Sequence, residues 1–246
     1  MRFVRAAWAA LSFLTRLVPP PPAVDERLLQ ASVVWFPLVG LPVGIACCLP
    51  LYWGLADGSP LLQAWVYLLV ALWATRGLHW DGLADVADAW GSGQHGDRFY
   101  EILKDSRIGA FGVMALVMGL GGYTLLASRI VAEERWLTLL LAPVAGRIAI
   151  WLLAGICPKT HPTSSLGRIV SQAVNTSLLF GGCLLLLFVG YAGLGLKGCL
   201  FLMPGLTILL LFLRRIACRE GGINGDFFGS AVVLTEMLFL AAGAWN

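Results

Sequence analysis

Long apolar runs, each about the length of a membrane-spanning helix, dominate the chain. They lie near residues 31–55, 61–78, 108–130, 136–157, 178–196, 198–213 and 228–244. A helix of about 20 apolar residues crosses the hydrocarbon core of a bilayer. The pattern therefore predicts an all-α fold, that of a polytopic helical membrane protein with about seven transmembrane helices.

Polar positions concentrate between the second and third runs, in residues 79–107. This segment holds two groups of three carboxylates at helical spacing, Asp81, Asp85 and Asp88 followed by Asp97, Glu101 and Asp105. Side chains at such spacing share one face of a helix. The turn-forming sequence GSGQHG at 91–96 separates the two groups. The segment predicts an acidic helix hairpin with two acidic faces turned toward each other.

Composition and charge place this hairpin relative to the membrane. Of the 246 residues, 59% are hydrophobic and only 13% are charged, roughly half the charged share of a soluble domain. With the N-terminus inside, thirteen Lys and Arg residues flank the inner ends of the runs and three flank the outer ends. Because basic residues are retained in the cytoplasm, the bias predicts that the N-terminus and residues 79–107 are cytoplasmic.

The rest of the chain indicates one integral membrane domain, residues 1–246, without linkers or repeats. Residues 1–22 resemble a signal peptide, but Arg16 interrupts the apolar stretch and four prolines follow it, so we expect a retained interfacial helix. No basic and aromatic pattern indicates nucleic-acid binding. The six cysteines lack CxxC spacing and are expected to be free thiols, which argues against disulfides and zinc.

The acidic hairpin is a candidate metal site. Like charges at i, i+4 repel, more strongly near a low-dielectric bilayer, so a divalent cation would offset the repulsion. Carboxylate oxygens without cysteine favour Mg²⁺ or Mn²⁺ over zinc. The alternative is a solvated acidic loop with ion pairs such as Glu101 and Lys104. His79, just before the first acidic group, is a candidate base, substrate donor or metal ligand, whereas His95 and His161 are expected to be loop residues.

Basic and polar residues near the hairpin and in a second cluster are candidates for substrate binding. They are Arg76, Lys104, Arg107, Arg147, Asn224, Asp226 and Glu236. Phosphate oxygens need fixed positive charge and hydrogen-bond donors. Arg147 and Glu236 lie inside apolar runs, where ionisable residues are costly. Snorkelling to the membrane surface remains an alternative for Arg147, and helix capping remains one for Asp226.

Several segments resemble the adenosylcobinamide-GDP ribazoletransferase family, also called cobalamin-5′-phosphate synthases. They are FLTRL (13–17), FPLVGLPVG (36–44), GLHWDGLADVADAW (77–90), DRFYEILKDSRIGAFG (97–112) and GGINGDFFGSAVVLTE (221–236). The chain departs from the family at Asn224, where Thr is usual, at Gly146, where Ser is usual, and in the loop KTHPTSS at 159–165.

The resemblance implies an Mg²⁺-dependent phosphotransferase of the bacterial inner membrane that acts on substituted phosphate groups in cobalamin biosynthesis. Adenosylcobinamide-GDP and α-ribazole, or its 5′-phosphate, would give adenosylcobalamin, or its 5′-phosphate, and GMP. In that reading His79, Asp81 and Asp85 are the catalytic candidates, and metal ligands come from the six carboxylates of the hairpin. The sequence leaves homo-oligomerisation open.

Two other functions were compared with this one. A CDP-alcohol phosphotransferase also uses Asp-rich helices, but its DGxxAR element is not matched, since Leu83, Ala84 and Asp85 follow Asp81-Gly82 without an Arg. An ion-coupled transporter would explain Glu236 and the Gly-rich runs, but its acids belong near the midplane rather than in a hairpin outside the apolar runs.

Overall fold

The structure is a computed structural model that describes residues 2–245, and within that range it contains eleven α-helices and no strand. These are α1 (Arg2–Leu14), α2 (Glu26–Ser32), α3 (Phe36–Tyr52), α4 (Pro60–Thr75), α5 (Leu78–Gly91), α6 (Asp97–Leu103), α7 (Ala110–Ala132), α8 (Trp136–Ile156), α9 (Ser165–Ala173), α10 (Thr176–Glu220) and α11 (Gly225–Ala244). The prediction of an all-α membrane protein is confirmed.

Five helical segments of residues 2–245 are long and apolar enough to cross a membrane. They are Glu26–Tyr52, which joins α2 and α3, and the helices α7, α8, α10 and α11. Helices α4 and α5 qualify only as a pair bent by 90°, which raises the number to at most six. The predicted count of about seven is not confirmed, because α4 is too short to qualify alone and the predicted runs at 178–196 and 198–213 are counted together as α10.

Helix α10 folds back on itself at Gly195. This residue has φ 67° and ψ −174°, which is not helical and which glycine adopts without a Cβ clash. Beyond it the chain returns, so that Gly190 lies beside Cys199. Near the far ends, Gly155 lies beside Leu179, and the Arg214 Nε atom donates to the Ile156 carbonyl at 2.8 Å. Both arms of α10 therefore run along α8.

Helix α8 forms the centre of the bundle, and most of its residues are buried. It packs against α3, α10 and α11. At the contact with α3, a Cβ atom on Gly40 or Gly44 would collide with the backbone of Val144 or Leu140. Small residues that let two backbones touch in this way drive helix association in membranes.

The N-terminal segment packs against the end of the bundle where α4 ends. Within it, the Trp8 Nε1 atom donates to the Pro19 carbonyl at 2.6 Å, so the proline segment folds back along α1. The Arg16 backbone N–H donates to the Ala74 carbonyl at 2.8 Å. The cysteines within residues 2–245 are free.

Three connecting segments meet at this end of the bundle, namely the α5–α6 hairpin, the 157–165 loop and the 221–224 turn. The Ile223 N–H donates to the Lys159 carbonyl at 2.9 Å, and the His161 N–H donates to the Ile223 carbonyl at 3.0 Å. Gly222 (φ 137°) is needed there, because a Cβ would collide with the backbone of Thr160 and His161. The loop that follows α8 and the 221–224 turn are therefore joined by backbone hydrogen bonds beside α5.

The α3–α8 contact predicts a difference between two glycine substitutions. Gly40→Ala should destabilise the protein, because its Cβ collides with the α8 backbone, whereas Gly121→Ala on α7 meets no atom within 4 Å. We expect the melting temperature in detergent to fall clearly for Gly40→Ala and to stay within error for Gly121→Ala. Equal melting temperatures for the two variants would show that the α3–α8 contact is looser than described.

Candidate active site

Helix α5 carries the first acidic group, and the bend between α4 and α5 sets its direction. Arg76 and Gly77 both adopt left-handed conformations, with φ 57° and 68°, which is uncommon for a residue with a Cβ and marks strain. The Arg76 Nη2 atom donates to the Phe13 carbonyl at 2.8 Å. The strained residue therefore also links α1 to the bend.

Close packing of α5 on α11 brings two acidic segments together. Gly82 lies against the Asp226 backbone so closely that a Cβ would be 2.8 Å from the Asp226 carbonyl oxygen. The Ser230 Oγ atom donates to the Gly82 carbonyl at 3.0 Å. These contacts place Asp81 and Asp85 of α5 next to Asp226 of α11.

Asp81, Asp85 and Asp226, which we call the acidic triad, have no basic ion-pair partner among the described residues. Helix α5 is too short to cross a membrane by itself, so Asp85 lies outside the membrane-spanning helices. Burial, then the charges of Asp226, Asp81 and Asp88, raise the pKa of Asp85 from 3.8 to about 7. The folded state binds that proton more tightly than the unfolded state, so stability falls as the pH rises from 3.8 to about 7. A bound cation would offset this loss.

Asp88, the third carboxylate of the α5 stripe, caps the next helix. Its two carboxylate oxygens accept hydrogen bonds from the backbone N–H groups of Gly109 and Gly112, both at 2.7 Å. A carboxylate at a helix N-terminus is stabilised by unpaired N–H groups and by the helix dipole. In this arrangement Asp88 holds α7 beside the acidic triad.

Two carboxylates of the second acidic group, Asp97 and Glu101, lie apart from the triad, whereas Asp105 lines the largest cavity described below together with Asp81 and Asp85. Helix α6 ends at Leu103, so Asp105 is not on the predicted helical face, and its carboxylate accepts hydrogen bonds from Arg107, which lower its pKa to about 2. Glu101 pairs with Arg98 on the surface. Asp97 and Glu101 are exposed and line none of the three cavities described below. The expectation of two facing acidic surfaces is therefore wrong for this segment.

A buried glutamate that the sequence analysis missed, Glu220, holds the hairpin turn. Its carboxylate accepts from the Gly96 N–H at 2.9 Å and contacts His95 Nδ1 at 3.0 Å. The Arg219 Nη2 atom lies 2.9 Å from His95 Nε2, so Nδ1 carries the proton of a neutral His95. Beside this turn, Tyr100 donates to the Gly222 carbonyl and stacks on His161, with ring centroids 3.5 Å apart. Only tertiary contacts reveal these roles of His95 and His161.

Three cavities meet at the acidic triad. The largest, about 720 Å³, lies under the α4–α5 bend and is lined by Asp81 and Asp85 together with all three candidate basic residues of this region, Arg76, Lys104 and Arg107. A polar cavity of about 260 Å³ lies between Asp226, Asn224, Lys104 and the 161–165 segment. A third cavity, about 110 Å³ and mostly apolar, is bordered by Asp81 and Asp226. The triad therefore touches all three.

The basic and amide groups around these cavities already have partners. The Lys104 Nζ atom donates to Thr163 Oγ1 at 2.9 Å. Asn224 caps α11 through its Oδ1, and its Nδ2 donates to Asp226 Oδ2 at 2.7 Å. Since Asp226 lies inside the helix and its carboxylate accepts from Asn224, the capping residue is Asn224 rather than Asp226.

His79 is buried at the junction of α5 and α11. Its Nε2 atom has no hydrogen-bond partner. Burial, and then the charge of Arg147, lower its pKa well below the usual range, so the imidazole is neutral at physiological pH. A neutral imidazole can accept or donate one proton without a charged partner.

Arg147 and Glu236 form an ion pair in the bundle interior. Arg147 is 1% exposed, and its Nη1 atom also donates to the Pro143 carbonyl at 3.0 Å. Tyr123 donates to the second carboxylate oxygen of Glu236 at 3.2 Å. The structure therefore pairs two predicted substrate-binding residues with each other, and the guanidinium does not snorkel.

The acidic triad has the donor chemistry for a hard divalent cation. Its members provide only oxygen donors, and their mutual repulsion is not neutralised by a basic residue. Within residues 2–245, however, no three His, Cys, Asp or Glu side chains form a ready-made ligand set. The triad fits Mg²⁺ in charge and donor type.

Comparison with known proteins decides the family. A family model described as cobalamin-5-phosphate synthase matches residues 6–244. The chain belongs to this cobalamin-5-phosphate synthase family. The match runs from within α1 to the end of α11 and therefore includes every residue that borders the acidic triad.

Curated relatives of this cobalamin-5-phosphate synthase family member carry one name, adenosylcobinamide-GDP ribazoletransferase. The protein of Nitratidesulfovibrio vulgaris is 43% identical, over 98% of both chains. The protein of Brevibacillus brevis is 32% identical, over 96% of this chain and 97% of its own. That of Chlorobaculum tepidum is 33% identical, over 96% and 94%. No solved structure matches the chain.

One departure of this synthase family member from the pattern has a structural reason. A Cβ on Gly146 would lie 2.7 Å from the Cγ atom of Glu236. Gly146 therefore lets Glu236 approach α8 and reach Arg147. At a second departure, Asn224, the chain keeps a polar side chain that caps α11.

The buried ion pair predicts that a double substitution is milder than a single one. Glu236→Leu leaves the Arg147 guanidinium buried without a carboxylate, which should destabilise the protein by about 3–5 kcal/mol. Arg147→Met combined with Glu236→Leu removes both charges and should restore most of the stability lost in Glu236→Leu. Thermal unfolding in detergent measures both variants.

If the double variant is as unstable as Glu236→Leu, the pair is not the source of the loss. A folded double variant also tests substrate binding by Arg147, because the Michaelis constant for the nucleotide substrate rises only if the guanidinium contacts phosphate.

Proposed function

We propose that the chain is an adenosylcobinamide-GDP ribazoletransferase, which joins adenosylcobinamide-GDP to α-ribazole, or to its 5′-phosphate, and releases GMP. Family membership and the shared name of the relatives support this reaction. The observation that carries the proposal is the convergence of three unpaired carboxylates where three cavities meet. The transporter and CDP-alcohol phosphotransferase alternatives have no comparable support.

The arrangement suits a transfer between two polar substrates of unequal size. A ribose hydroxyl oxygen attacks the phosphorus joined to cobinamide, a new P–O bond forms, and the bond to the bridging oxygen of the diphosphate breaks. The attacking hydroxyl is not the 5′ one, because the 5′ oxygen carries the phosphate in α-ribazole 5′-phosphate. GMP leaves with the bridging oxygen, and the hydroxyl proton passes to a carboxylate of the triad or to His79. The largest cavity, with Arg76, Lys104 and Arg107 on its wall, is the place for the diphosphate.

We infer that Asp81, Asp85 and Asp226 hold Mg²⁺ in the working enzyme. A bound Mg²⁺ neutralises phosphate charge and so favours phosphoryl transfer. The residues border different cavities. Asp81 borders the largest cavity and the small apolar cavity, whereas Asp226 borders the small apolar cavity and the polar cavity of about 260 Å³. Together they connect the sites of both substrates.

The first test of this proposal is the effect of the triad on GMP release. Asp81→Asn and Asp85→Asn keep the side-chain shape but remove the charge, so the turnover number should fall by at least about 10²-fold. Glu133→Gln, an equivalent change at an exposed pair with Arg129, serves as the control. EDTA should abolish release by the wild-type enzyme, and added Mg²⁺ should restore it.

Near-normal turnover of both aspartate variants in purified, monodisperse protein would reject the triad as the metal site. The overall reaction would survive that result, because substrate-dependent GMP release by the wild type tests it separately.

We also propose that the triad faces the cytoplasm of a bacterial inner membrane. The support is the bias of thirteen basic residues against three in the sequence. Gln94, in the hairpin turn, is exposed. Leu55, in the turn between α3 and α4, is 54% exposed, and the N-terminus-inside topology puts it on the other side of the membrane.

A labelling experiment tests this orientation. On a background without native cysteines, Gln94→Cys should resist an impermeant thiol reagent in intact cells and react in inverted vesicles. Leu55→Cys should show the opposite behaviour, because impermeant reagents reach only the outer surface. Labelling of Gln94→Cys in intact cells would overturn the orientation.

A further inference from the structure

The smallest of the three cavities at the triad differs from the others in its lining. It has a volume of about 110 Å³ and lies between α1, α3, α5, α8, α9 and α11. Its walls include Phe13, Phe36, Phe228, Ile150 and Val170. The last four of these side chains are almost fully buried, so the walls are fixed by packing.

Polar groups are found only at one border of this cavity, at Asp81, Asp226 and His79. His79 is 6% exposed and its Nε2 atom has no partner in the protein. The fold does not require an empty apolar space beside the reacting carboxylates, because a larger side chain would fill it and add stabilising contacts. Its position indicates a binding function.

The size and lining of the cavity restrict what enters it. A closed apolar cavity of about 150 Å³ in another protein binds benzene. This smaller cavity cannot enclose a whole ring system, but Asp81 and Asp226 on its border also line the two larger cavities. It therefore suits the apolar edge of a flat ring whose remainder lies beside the triad. A corrin is far too large. Guanine would lose hydrogen bonds from several donors and acceptors among phenylalanines, which is costly. The ribose and the phosphates are polar throughout.

One part of the substrates meets these restrictions. The base of α-ribazole is a flat benzimidazole with two methyl groups, and it has one ring nitrogen that needs a polar partner. With the two methyl groups among Phe36, Phe228 and Val170, the ring nitrogen and the ribose lie at the polar border, beside Asp81 and Asp226. The attacking ribose hydroxyl is then next to the acidic triad, to which we assign phosphoryl transfer.

We propose that the apolar cavity receives the methyl-bearing edge of the α-ribazole base and selects it by size. This inference rests on the proposed function, because it assigns one substrate of that reaction to a place in the protein. Val170 of α9 is the best position to test, since it lines this cavity and neither of the other two at the triad. Ile169 is a neighbouring buried residue outside all three linings.

The experiment compares two nucleosides at saturating adenosylcobinamide-GDP, namely α-ribazole and the same riboside without the two methyl groups. Val170→Leu adds one methylene to the wall. It should lower kcat/KM for α-ribazole roughly tenfold or more, and for the unmethylated nucleoside much less. Val170→Ala should weaken the preference for α-ribazole. Ile169→Val should leave the preference unchanged, and the KM for adenosylcobinamide-GDP should stay constant throughout.

The outcomes separate the inference from the function. If the wild type releases GMP and Val170→Leu affects both nucleosides equally, only the inference about the cavity is overturned. Equal effects are expected if a lipid chain fills the cavity. No nucleoside-dependent GMP release by the wild type would overturn the proposed function and the inference with it. If Val170→Leu fails to fold, an unchanged preference in Val170→Ala overturns the inference and a weakened one supports it.

Discussion

Repulsion among Asp81, Asp85 and Asp226 is the constraint on which the arrangement of this end of the bundle depends. Three carboxylates that share a partly buried region oppose folding unless opposite charge is supplied. The protein does not supply it, since none of the described basic residues pairs with the triad. The surrounding packing must therefore hold the groups together until a cation and phosphates neutralise them.

Contacts around the triad supply that restraint. Gly82 lets α5 touch the backbone of α11, and Asp88 fixes the start of α7. Glu220 ties the hairpin turn to the end of α10, and Arg147 with Glu236 neutralises charge deeper in the bundle. These contacts hold the triad in place, while its three carboxylates stay without a basic partner among the described residues. A rigid site of this kind binds its ligands without reorganising its own charges.

The sequence predicted much of this arrangement, because apolar runs and helical spacing are local properties. The runs predicted the membrane fold, and the i, i+4, i+7 spacing of Asp81, Asp85 and Asp88 matched a helix that begins at Leu78. The predictions from sequence were incomplete or wrong where the structure depends on contacts between distant residues. The fold-back at Gly195, the capping role of Asp88 and the burial of Glu220 depend on contacts between residues that are far apart along the chain. Asp105 was misplaced because the end of α6 at Leu103 has no strong sequence signal.

Counting bound Mn²⁺ tests the central claim, that the acidic triad is a cation site, without reference to activity. Titration of the purified protein followed by electron paramagnetic resonance measures the free ion directly. We predict that the wild type and an Asp97→Asn, Glu101→Gln variant bind Mn²⁺, and that an Asp81→Asn, Asp85→Asn, Asp226→Asn variant loses this binding. Equal binding by the wild type and the triad variant would contradict the account.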